Sequence, residues 1–393
     1  MRELTRSEAS NVAFLVEAGL DYGLLETTRT ILGKSYFDAT LPFRAFLKRE
    51  NIHDFDSQGQ GEEHKRSISG FIVSDAGLHI PATTTLYRPA TKTGDPRIWF
   101  SKLHHRISSD EIAAVIWRDD ALWLLNASTA DFRLLSGSNA AVAQVLAPAR
   151  DSVSLASMEL LGMMREISAR GYIKTHRNGN TAAGHLLETE LGIQQNSSKS
   201  PDFKGIEIKS SRATAARSTT MFAKVPDWKL SALKSSNAIL DEFGYFRDGK
   251  LRLNCSVSAS VFNSQGLRFS IDDDKDLLEE ISTNTWFPEV ATWEMQVLRD
   301  ELAKKHRDTF WVHADSKYVG GFEYVHFTKV RHTNQPLVEQ LTPMLKSGSV
   351  YMDHLISRAP DAGSASERGP LFKIQNSSHA QLFPDPIEYE LQV

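Results

Sequence analysis

The segment PDFKGIEIKS, residues 201–210, constrains the fold of this chain more than any other stretch. Its two isoleucines alternate with Glu207 and Lys209, which is the pattern of a strand with one face in the core. The pair Lys204–Gly205 precedes this strand and predicts a turn. We therefore expect a hairpin in which Glu207 and Lys209 share one face and Asp202 folds back beside Glu207.

The second half of the chain mixes helical and strand patterns. Apolar residues at helical spacing predict a helix that ends at Gly171 and another that ends at Gly192. Strand patterns follow in RLNCSVSASVFN, LRFSIDD, TFWVHADSK and FEYVHFTKV, and helical patterns occur at the end of LEEISTNTWFPEVATWEMQVLRDELAKKH and in QPLVEQLTPMLKSG. This mixture predicts an α+β domain over residues 151–393.

The first half begins with a helical pattern of about 20 residues and then changes character. Short segments rich in β-branched and aromatic residues are separated by turn-forming residues, in SGFIVSD, TTTLYRPAT, PRIWFSKL, IAAVIWRDD and ALWLLNAS. Residues 127–154 are rich in Ala, Ser and Gly and predict the domain junction. A chain of 393 residues is long enough for two domains, and we predict a β-rich domain over residues 1–150.

Charge and cysteine content exclude some classes of protein. The net charge of −4 gives no global signal for nucleic acid, although a local basic surface is enough for a DNA enzyme. Cys255 is the single cysteine, which excludes a disulfide within this chain and a cysteine-based zinc site and fits a reducing cytoplasm. No stretch approaches the ~20 apolar residues of a membrane span, so we expect a soluble cytoplasmic protein with no membrane partner.

The hairpin carries the side chains that phosphodiester hydrolysis requires. Mg²⁺ prefers oxygen ligands, usually one or two carboxylates with waters and phosphate oxygens. Metal ions and a nearby lysine stabilise charge on the scissile phosphate and help the attacking water lose its proton. Asp202, Glu207 and Lys209 supply two carboxylates and one ammonium, which predicts a magnesium-dependent nuclease. The alternative is an exposed strand edge on which Glu and Lys alternate for solubility.

The sequence around the hairpin narrows this choice, because GNTAAGHLLETELG stands immediately upstream. Here the chain resembles the MvaI and BcnI family of restriction endonucleases, in the MutH-like branch, in which a helix carrying Gly-x-x-Leu-Glu precedes an Asp…Glu-x-Lys hairpin. The matching positions are Gly184, Leu187 and Glu188 in the helix and Asp202, Gly205, Glu207 and Lys209 in the hairpin.

The resemblance implies roles for these residues. Asp202 and Glu207 would bind the catalytic Mg²⁺, and Lys209 would orient or activate the water or stabilise the transition state. Glu188 would hold the helix in place or support the metal from a second layer. The alternative for Glu188 is an exposed helix carboxylate beside Glu190.

Basic residues after the hairpin predict contacts with DNA phosphates. The candidates there are Arg212, Arg217 and Lys224, and the alternative is a solvated loop. The resembled family takes its base contacts from the C-terminal region, which implies Arg331, His332, Arg358 and Arg368 as base-reading residues. The family commonly has a His-Gly element where Arg368 and Gly369 stand here, so the identity of the central base pair does not carry over.

The N-terminal segment YRPATKTGDPRIWF resembles part of the effector DNA-binding domain of EcoRII-type restriction enzymes, a β-rich pseudo-barrel. In such domains two arms grip the major groove. LPFRAFLKRENIH is a candidate for one arm, and the resembling segment belongs to the other. The candidate DNA-binding residues are Arg44, Arg88, Lys92 and Arg97, whereas Trp99 is the type of residue found more often in a core.

Together these features predict a monomeric or weakly associating type II restriction endonuclease that cuts double-stranded DNA and whose N-terminal domain binds a second copy of the site or a flanking segment. The resemblance implies a CCNGG-type site, with CCWGG favoured by the N-terminal domain, and a partner DNA methyltransferase acting on the same site. Two alternatives remain open. One is a MutH-like repair nickase on hemimethylated DNA, and the other is a sequence-specific DNA-binding protein without catalysis.

Overall fold

The computed structural model describes residues 1–393 except positions 35, 105, 138–139, 149–154, 178, 180, 194–200, 213–216, 368, 384–385 and 393. Contacts divide the chain into two compact units, Met1–Ser152 and Val153–Val393. Both units contain helices and strands, and the predicted α+β class is confirmed. Within the described part of the chain, no helix has the length and apolar character needed to cross a membrane.

The first unit is built around one mixed sheet with the strand order β1-β6-β7-β3-β4-β5-β2, which curls into a nearly closed barrel-like form. Its elements are α1 (Arg6–Glu17), β1 (Tyr22–Glu26), α2 (Arg29–Lys34), β2 (Phe37–Asp38), α3 (Leu41–Arg49), β3 (Arg66–Val73), β4 (His79–Tyr87), β5 (Arg97–Phe100), β6 (Ile112–Arg118), β7 (Ala121–Asn126), α4 (Phe132–Leu135) and α5 (Ala140–Val145).

Helix α3 closes one side of this sheet because its apolar residues repeat at helical spacing. Phe43, Phe46 and Leu47 are buried in the core of the unit. The helix approaches β1 closely at Gly23, where a β-carbon would lie 2.6 Å from the Phe43 ring. A side chain at position 23 would therefore push the helix off the sheet.

The second unit contains three sheets and the remaining helices. Its elements are α6 (Leu155–Ala169), β8 (Ile173–Lys174), α7 (Ala182–Glu190), β9 (Glu207–Arg212), β10 (Ser218–Ala223), α8 (Ser236–Phe243), β11 (Tyr245–Arg247), β12 (Lys250–Val257), β13 (Leu267–Asp272), β14 (Leu277–Ser282), β15 (Glu289–Glu294), α9 (Met295–Lys305), β16 (Asp308–Val319), β17 (Phe322–Asn334), α10 (Leu341–Ser347), β18 (Val350–Arg358), β19 (Ser366–Glu367), β20 (Leu371–Gln375), α11 (His379–Leu382) and β21 (Ile387–Glu390).

One of these sheets has the strand order β21-β17-β16-β9, with β8 paired to β17. Strands β9 and β16 are parallel, whereas β16 and β17 form an antiparallel hairpin. Helices α6 and α7 cover one face of this sheet, where Leu160, Leu187, Ile208 and Phe310 are buried together. The side chains that alternate with this apolar set on β9 therefore point to the opposite face.

The other two sheets have the orders β10-β20-β18-β12-β11, with β19 paired to β18, and β13-β14-β15. They share a core with α8, α9 and α10, in which Phe269, Trp293 and Phe372 form edge-to-face and stacked ring contacts. This core carries α9, whose C-terminal end lies beside the polar side chains of β9.

Candidate active site

The hairpin that the sequence predicts is present and begins with a two-residue turn. The Phe203 N–H donates to the Ile206 carbonyl at 2.9 Å, and the Ile206 N–H donates to the Phe203 carbonyl at 2.7 Å. The central residues, Lys204 and Gly205, have φ values of 45° and 92°. A turn with positive φ at both central positions favours Gly, so Gly205 explains why the chain reverses here.

The turn brings Asp202 back onto strand β9. Its Oδ2 accepts a hydrogen bond from the Ile208 N–H at 2.9 Å, one residue beyond Glu207. Proximity is also visible in the electrostatics, since the Asp202 charge helps to raise the pKa of Glu207. The expected pairing of these two carboxylates is therefore what the backbone produces.

Glu207 lies in the interior, with 1% of its side chain exposed, and faces two lysines. Lys209 Nζ lies 2.6 Å from Oε1, and Lys305 Nζ lies 2.7 Å from Oε2. Burial is the largest influence on Glu207 and raises the pKa of its carboxyl, while Lys209 and Lys305 act in the opposite direction. The site thus combines two carboxylates and two ammonium groups around one strand.

Lys305 is a site residue that the sequence reasoning missed. It is the last residue of α9, and β16 follows it after two residues. The parallel register pairs Glu207 with Thr309 and Lys209 with Trp311, which brings the end of α9 beside β9. The sequence LAKKHRDTFWV gives a basic helix end before a strand, but only the pairing of distant strands shows which lysine meets Glu207.

A buried histidine, His306, lies close to Lys209 and Lys305. His306 makes ring-nitrogen contacts with Thr309 Oγ1 at 3.1 Å and the Met221 carbonyl at 3.0 Å. Burial, followed by the charge of Lys209, lowers the pKa of His306 to about 3, so the imidazole is neutral at physiological pH. Burial likewise lowers the pKa of His379 to about 4. These rings add no positive charge next to the two lysines.

Helix α7 packs against β9, as the predicted helix-hairpin layout requires. The two elements approach at Gly184, where a β-carbon would lie 3.4 Å from Ser210 Oγ. Leu187 is buried in the core between helix and sheet, and Glu188 is partly buried. Among the described residues, no hydrogen bond or ion pair joins the Glu188 carboxylate to the hairpin side chains, so its supporting role stays a prediction.

Arg212 has a structural environment rather than the exposed one expected of a phosphate contact. Its Nε and a terminal nitrogen lie 2.6 Å and 2.9 Å from the two carboxylate oxygens of Glu323. A terminal nitrogen also donates to the Gly179 carbonyl at 2.9 Å. Since Glu323 is fully buried, the guanidinium compensates a charge in the interior.

The other predicted DNA contacts of this unit fall into two groups. Lys224 and His332 are engaged inside the fold, with Glu301 and Asp308 as their carboxylate partners, whereas Arg358 pairs at the surface with Asp241, which is 55% exposed. His332 is 3% exposed, a placement that withdraws its ring from a DNA surface. Arg217 is exposed, and Arg331 is 47% exposed with Glu388 3.5 Å away. Arg368 lies outside the described residues.

In the first unit, the segment proposed as one DNA arm is helix α3, and its Arg44 is half-buried and donates to the Ala39 carbonyl. Burial lowers the pKa of Arg44. Arg88 donates to backbone carbonyls, among them that of Gly94 at 2.8 Å. Arg97 lies 4.0 Å from the centroid of the Tyr36 ring, whereas Lys92 is exposed. Of these four side chains, Lys92 is the most accessible.

Two carboxylates form a small donor set, and in the described part of the chain no group of three or more His, Cys, Asp or Glu side chains has a metal-binding arrangement. Mg²⁺ does not need one, because it commonly binds one or two protein carboxylates and completes its shell with water and phosphate oxygens. The oxygen donors of Asp202 and Glu207 therefore fit Mg²⁺ in number and chemistry.

Comparison with known proteins agrees with this architecture. The sequence model of the MvaI/BcnI restriction endonuclease family matches residues 161–383, more than half of the chain and all of the hairpin. Among solved structures, the restriction endonuclease MvaI–cognate DNA substrate complex is similar at 21% identity over 61% of this chain and 99% of that chain, with a TM-score of 0.52. The restriction endonuclease MvaI in the absence of DNA is similar at 19% identity over 62% and 100%, with a TM-score of 0.37. The chain has no match among curated proteins.

Proposed function

Because the chain belongs to the MvaI/BcnI restriction endonuclease family and is therefore a type II site-specific endonuclease, we propose that Asp202, Glu207 and Lys209 hydrolyse double-stranded DNA with Mg²⁺. The observation that carries this proposal is the turn at Lys204–Gly205, which places one carboxylate against the strand that presents the other. The hairpin thus brings two carboxylates together beside Lys209 and Lys305, and neighbouring carboxylates repel unless cations compensate them.

The protein side chains divide the work in this proposal. Asp202 and Glu207 hold the cation, and bound Mg²⁺ supplies positive charge that stabilises the scissile phosphate and makes water a better nucleophile. Lys209 orients the water or stabilises the charge that develops on the phosphate. Lys305 contacts the same carboxylate from the other side, where its charge opposes the effect of burial on the pKa of Glu207 and holds the carboxylate in position.

Recognition of a CCNGG-type site, and of CCWGG in particular, is part of the proposal. The similar MvaI structure contains that enzyme's cognate DNA, which supports a DNA substrate for this chain. In the described part of the second unit, Arg217 and Arg331 are exposed and remain our candidates for DNA contact. Arg368 stays a candidate on sequence grounds alone. Lys224 and His332 are assigned to the fold instead, because both are largely covered beside carboxylates, whereas Arg358 pairs with exposed Asp241 and stays a candidate.

For the first unit we propose a second DNA-binding function, directed at another copy of the site or at flanking DNA. Lys92 is exposed and Arg97 is partly exposed beside an aromatic ring, which supports contact with phosphate or base. With one hairpin site in each chain, a monomer would cut the two strands in sequence. A DNA methyltransferase that modifies the same site would protect the host genome.

Digestion of a sequenced phage genome tests the proposed site and metal together. We expect cleavage in Mg²⁺, none in excess EDTA, and mapped ends that fall in one CCNGG-type sequence with a fixed stagger. Ends in a different short sequence would overturn the site while leaving the nuclease intact. Cleavage in EDTA at the rate seen in Mg²⁺ would overturn the metal.

A further inference from the structure

The hairpin of β16 and β17 projects from its sheet and carries exposed apolar residues at its tip. The last four residues of β16 are exposed, and the strands are joined by Gly320 and Gly321, whose φ values are 58° and 79°. Large side chains near the turn are unusually accessible, at 69% for Tyr318, 55% for Val319 and 50% for Phe322. The catalytic residues described above do not use this tip, and the core does not cover it.

Two lysines lie over aromatic rings beside this tip. Lys174 Nζ lies 3.3 Å from the centroid of the Phe322 ring, and Lys317 Nζ lies 4.0 Å from that of the Tyr172 ring. Cation–π contact fixes an ammonium at an exposed ring face, and N–H donors remain for a further anionic partner. We call Tyr172, Lys174, Lys317 and Phe322 the lysine–aromatic surface.

The exposed charge around this surface is positive. In residues 172–180 and 313–327 the charged side chains are Lys174, Arg177, Asp315, Lys317 and Glu323. Glu323 is buried and paired with Arg212, so Asp315 is the one remaining acid in these segments against three cations. Exposed cations with adjacent rings are complementary to the phosphates and sugars of nucleic acid.

The strand register places this surface on the same sheet face as the active site. Lys209 is paired with Trp311, and Lys317 follows Trp311 by six residues on β16, an even number that keeps one face. Lys317 is paired with Tyr324, which is paired in turn with Lys174. At ~3.3 Å per residue, six residues place Lys317 roughly 20 Å along the strand from Lys209.

We propose that the lysine–aromatic surface binds the phosphate backbone of DNA that flanks the cut site. For a duplex whose axis follows β16, a separation of roughly 20 Å corresponds to about six base pairs from the scissile phosphate, because B-DNA rises 3.4 Å per base pair. This inference rests on the proposed function, because it uses the position of the hairpin active site. It adds a contact outside a short recognition sequence, so it contributes affinity without choosing bases.

Binding measurements on duplexes of two lengths test the surface. The mapped site is placed in one duplex that ends about 3 base pairs from the scissile phosphate and in another that extends about 15 base pairs beyond it. Only the longer duplex reaches the lysine–aromatic surface. The double variant Lys174→Met/Lys317→Met removes both charges and keeps side chains of similar length. A charge-matched control, Lys250→Met/Lys304→Met, removes two exposed lysines elsewhere in the unit. All variants carry Glu207→Gln, so that binding in Mg²⁺ is measured without cleavage.

On the long duplex, loss of two phosphate contacts is expected to reduce the slope of log affinity against log salt by about 1.8 and to weaken low-salt binding by about tenfold. The short duplex should bind both double variants equally. Equal slopes for the double variant and the control on the long duplex would overturn the proposal, as would an equal loss on the short duplex. A dimer in sedimentation that the double variant abolishes would also overturn it, because the surface would then bind a second copy of the chain.

The outcome is separable from that of the proposed function. If the otherwise wild-type chain fails to cut any DNA, the salt slopes of the double variant and the control on an arbitrary long duplex still report whether these lysines bind phosphate. If it cuts DNA but the lysines have no effect, the nuclease assignment stands and the flanking contact is lost.

Discussion

Replacing Arg212 by Met separates a structural role from a role in phosphate binding. Its guanidinium makes two short contacts with Glu323, whose carboxylate is completely buried, and one with the Gly179 carbonyl. Removing one partner of a buried ion pair costs about 3–5 kcal/mol, because the remaining charge has no compensation. That loss is a large part of the roughly 5–15 kcal/mol that stabilises a typical domain.

Thermal and urea unfolding of the full chain, followed by circular dichroism, measure this cost. For a unit of this size a loss of about 3–5 kcal/mol corresponds to a Tm roughly 6–20 °C lower. Arg217→Met is the matched control, because Arg217 is exposed and its replacement should change the free energy of unfolding by less than about 0.5 kcal/mol.

A double variant tests the reasoning further. Arg212→Met/Glu323→Leu leaves no unpaired charge in the interior and should recover most of the lost stability. If Arg212→Met unfolds like wild type but binds DNA with a smaller salt slope, Arg212 is a phosphate contact and the structural assignment is refuted. If the double variant is as unstable as the single one, the cost does not come from an uncompensated Glu323.

Three further predictions concern the surroundings of the site. Lys305→Met should slow single-turnover cleavage by at least about tenfold, because Glu207 loses one of its two cations. The control is Lys304→Met, at an exposed position of the same helix, which should change the rate by less than about twofold. Equal rates for the two variants would contradict the role of Lys305. The pKa of His306 is lowered to about 3 in the folded state and is ~6.5 in the unfolded state, so between these pH values only the unfolded state binds the extra proton. The contribution of neutral His306 to the free energy of unfolding is therefore complete above pH ~6.5. It is lost toward pH 3 by about 1.4 kcal/mol per pH unit. In urea titrations at several pH values, His306→Asn should lower the slope of the free energy of unfolding against pH by the equivalent of one proton. An unchanged slope would contradict a buried neutral imidazole. Gly205→Ala should destabilise the turn by about 1–2 kcal/mol and slow cleavage, because φ at this position is 92°, and wild-type rates at saturating Mg²⁺ would show that the turn does not set the carboxylate geometry.

Local features of this chain were predictable because their causes are local. The Lys-Gly pair specifies its own turn, and alternation assigns Ile208 to the core and Glu207 to the opposite face. The helical spacing before Gly171 corresponds to α6, which ends two residues earlier at Ala169. The fold class follows from the same patterns, and it is confirmed.

The parts that sequence reasoning missed depend on contacts between distant segments. Lys305 meets Glu207 because β9 pairs in parallel with β16, about a hundred residues later in the chain. Arg212 appeared in the sequence as one cation in a basic stretch, and nothing local shows that Glu323 will be buried beside it. Basic residues near a site are therefore the least predictable group, since burial decides whether they face solvent or compensate an interior charge.

Cleavage of supercoiled plasmid carrying the mapped site, in Mg²⁺, tests the central claim most directly. The account predicts that the wild-type chain converts the plasmid to nicked and linear forms, and that Asp202→Asn, Glu207→Gln and Lys209→Met each slow this conversion by at least about a hundredfold while remaining folded. If folded variants at these three positions cut the plasmid as fast as wild type, the catalytic groups lie elsewhere and the proposed active site is wrong.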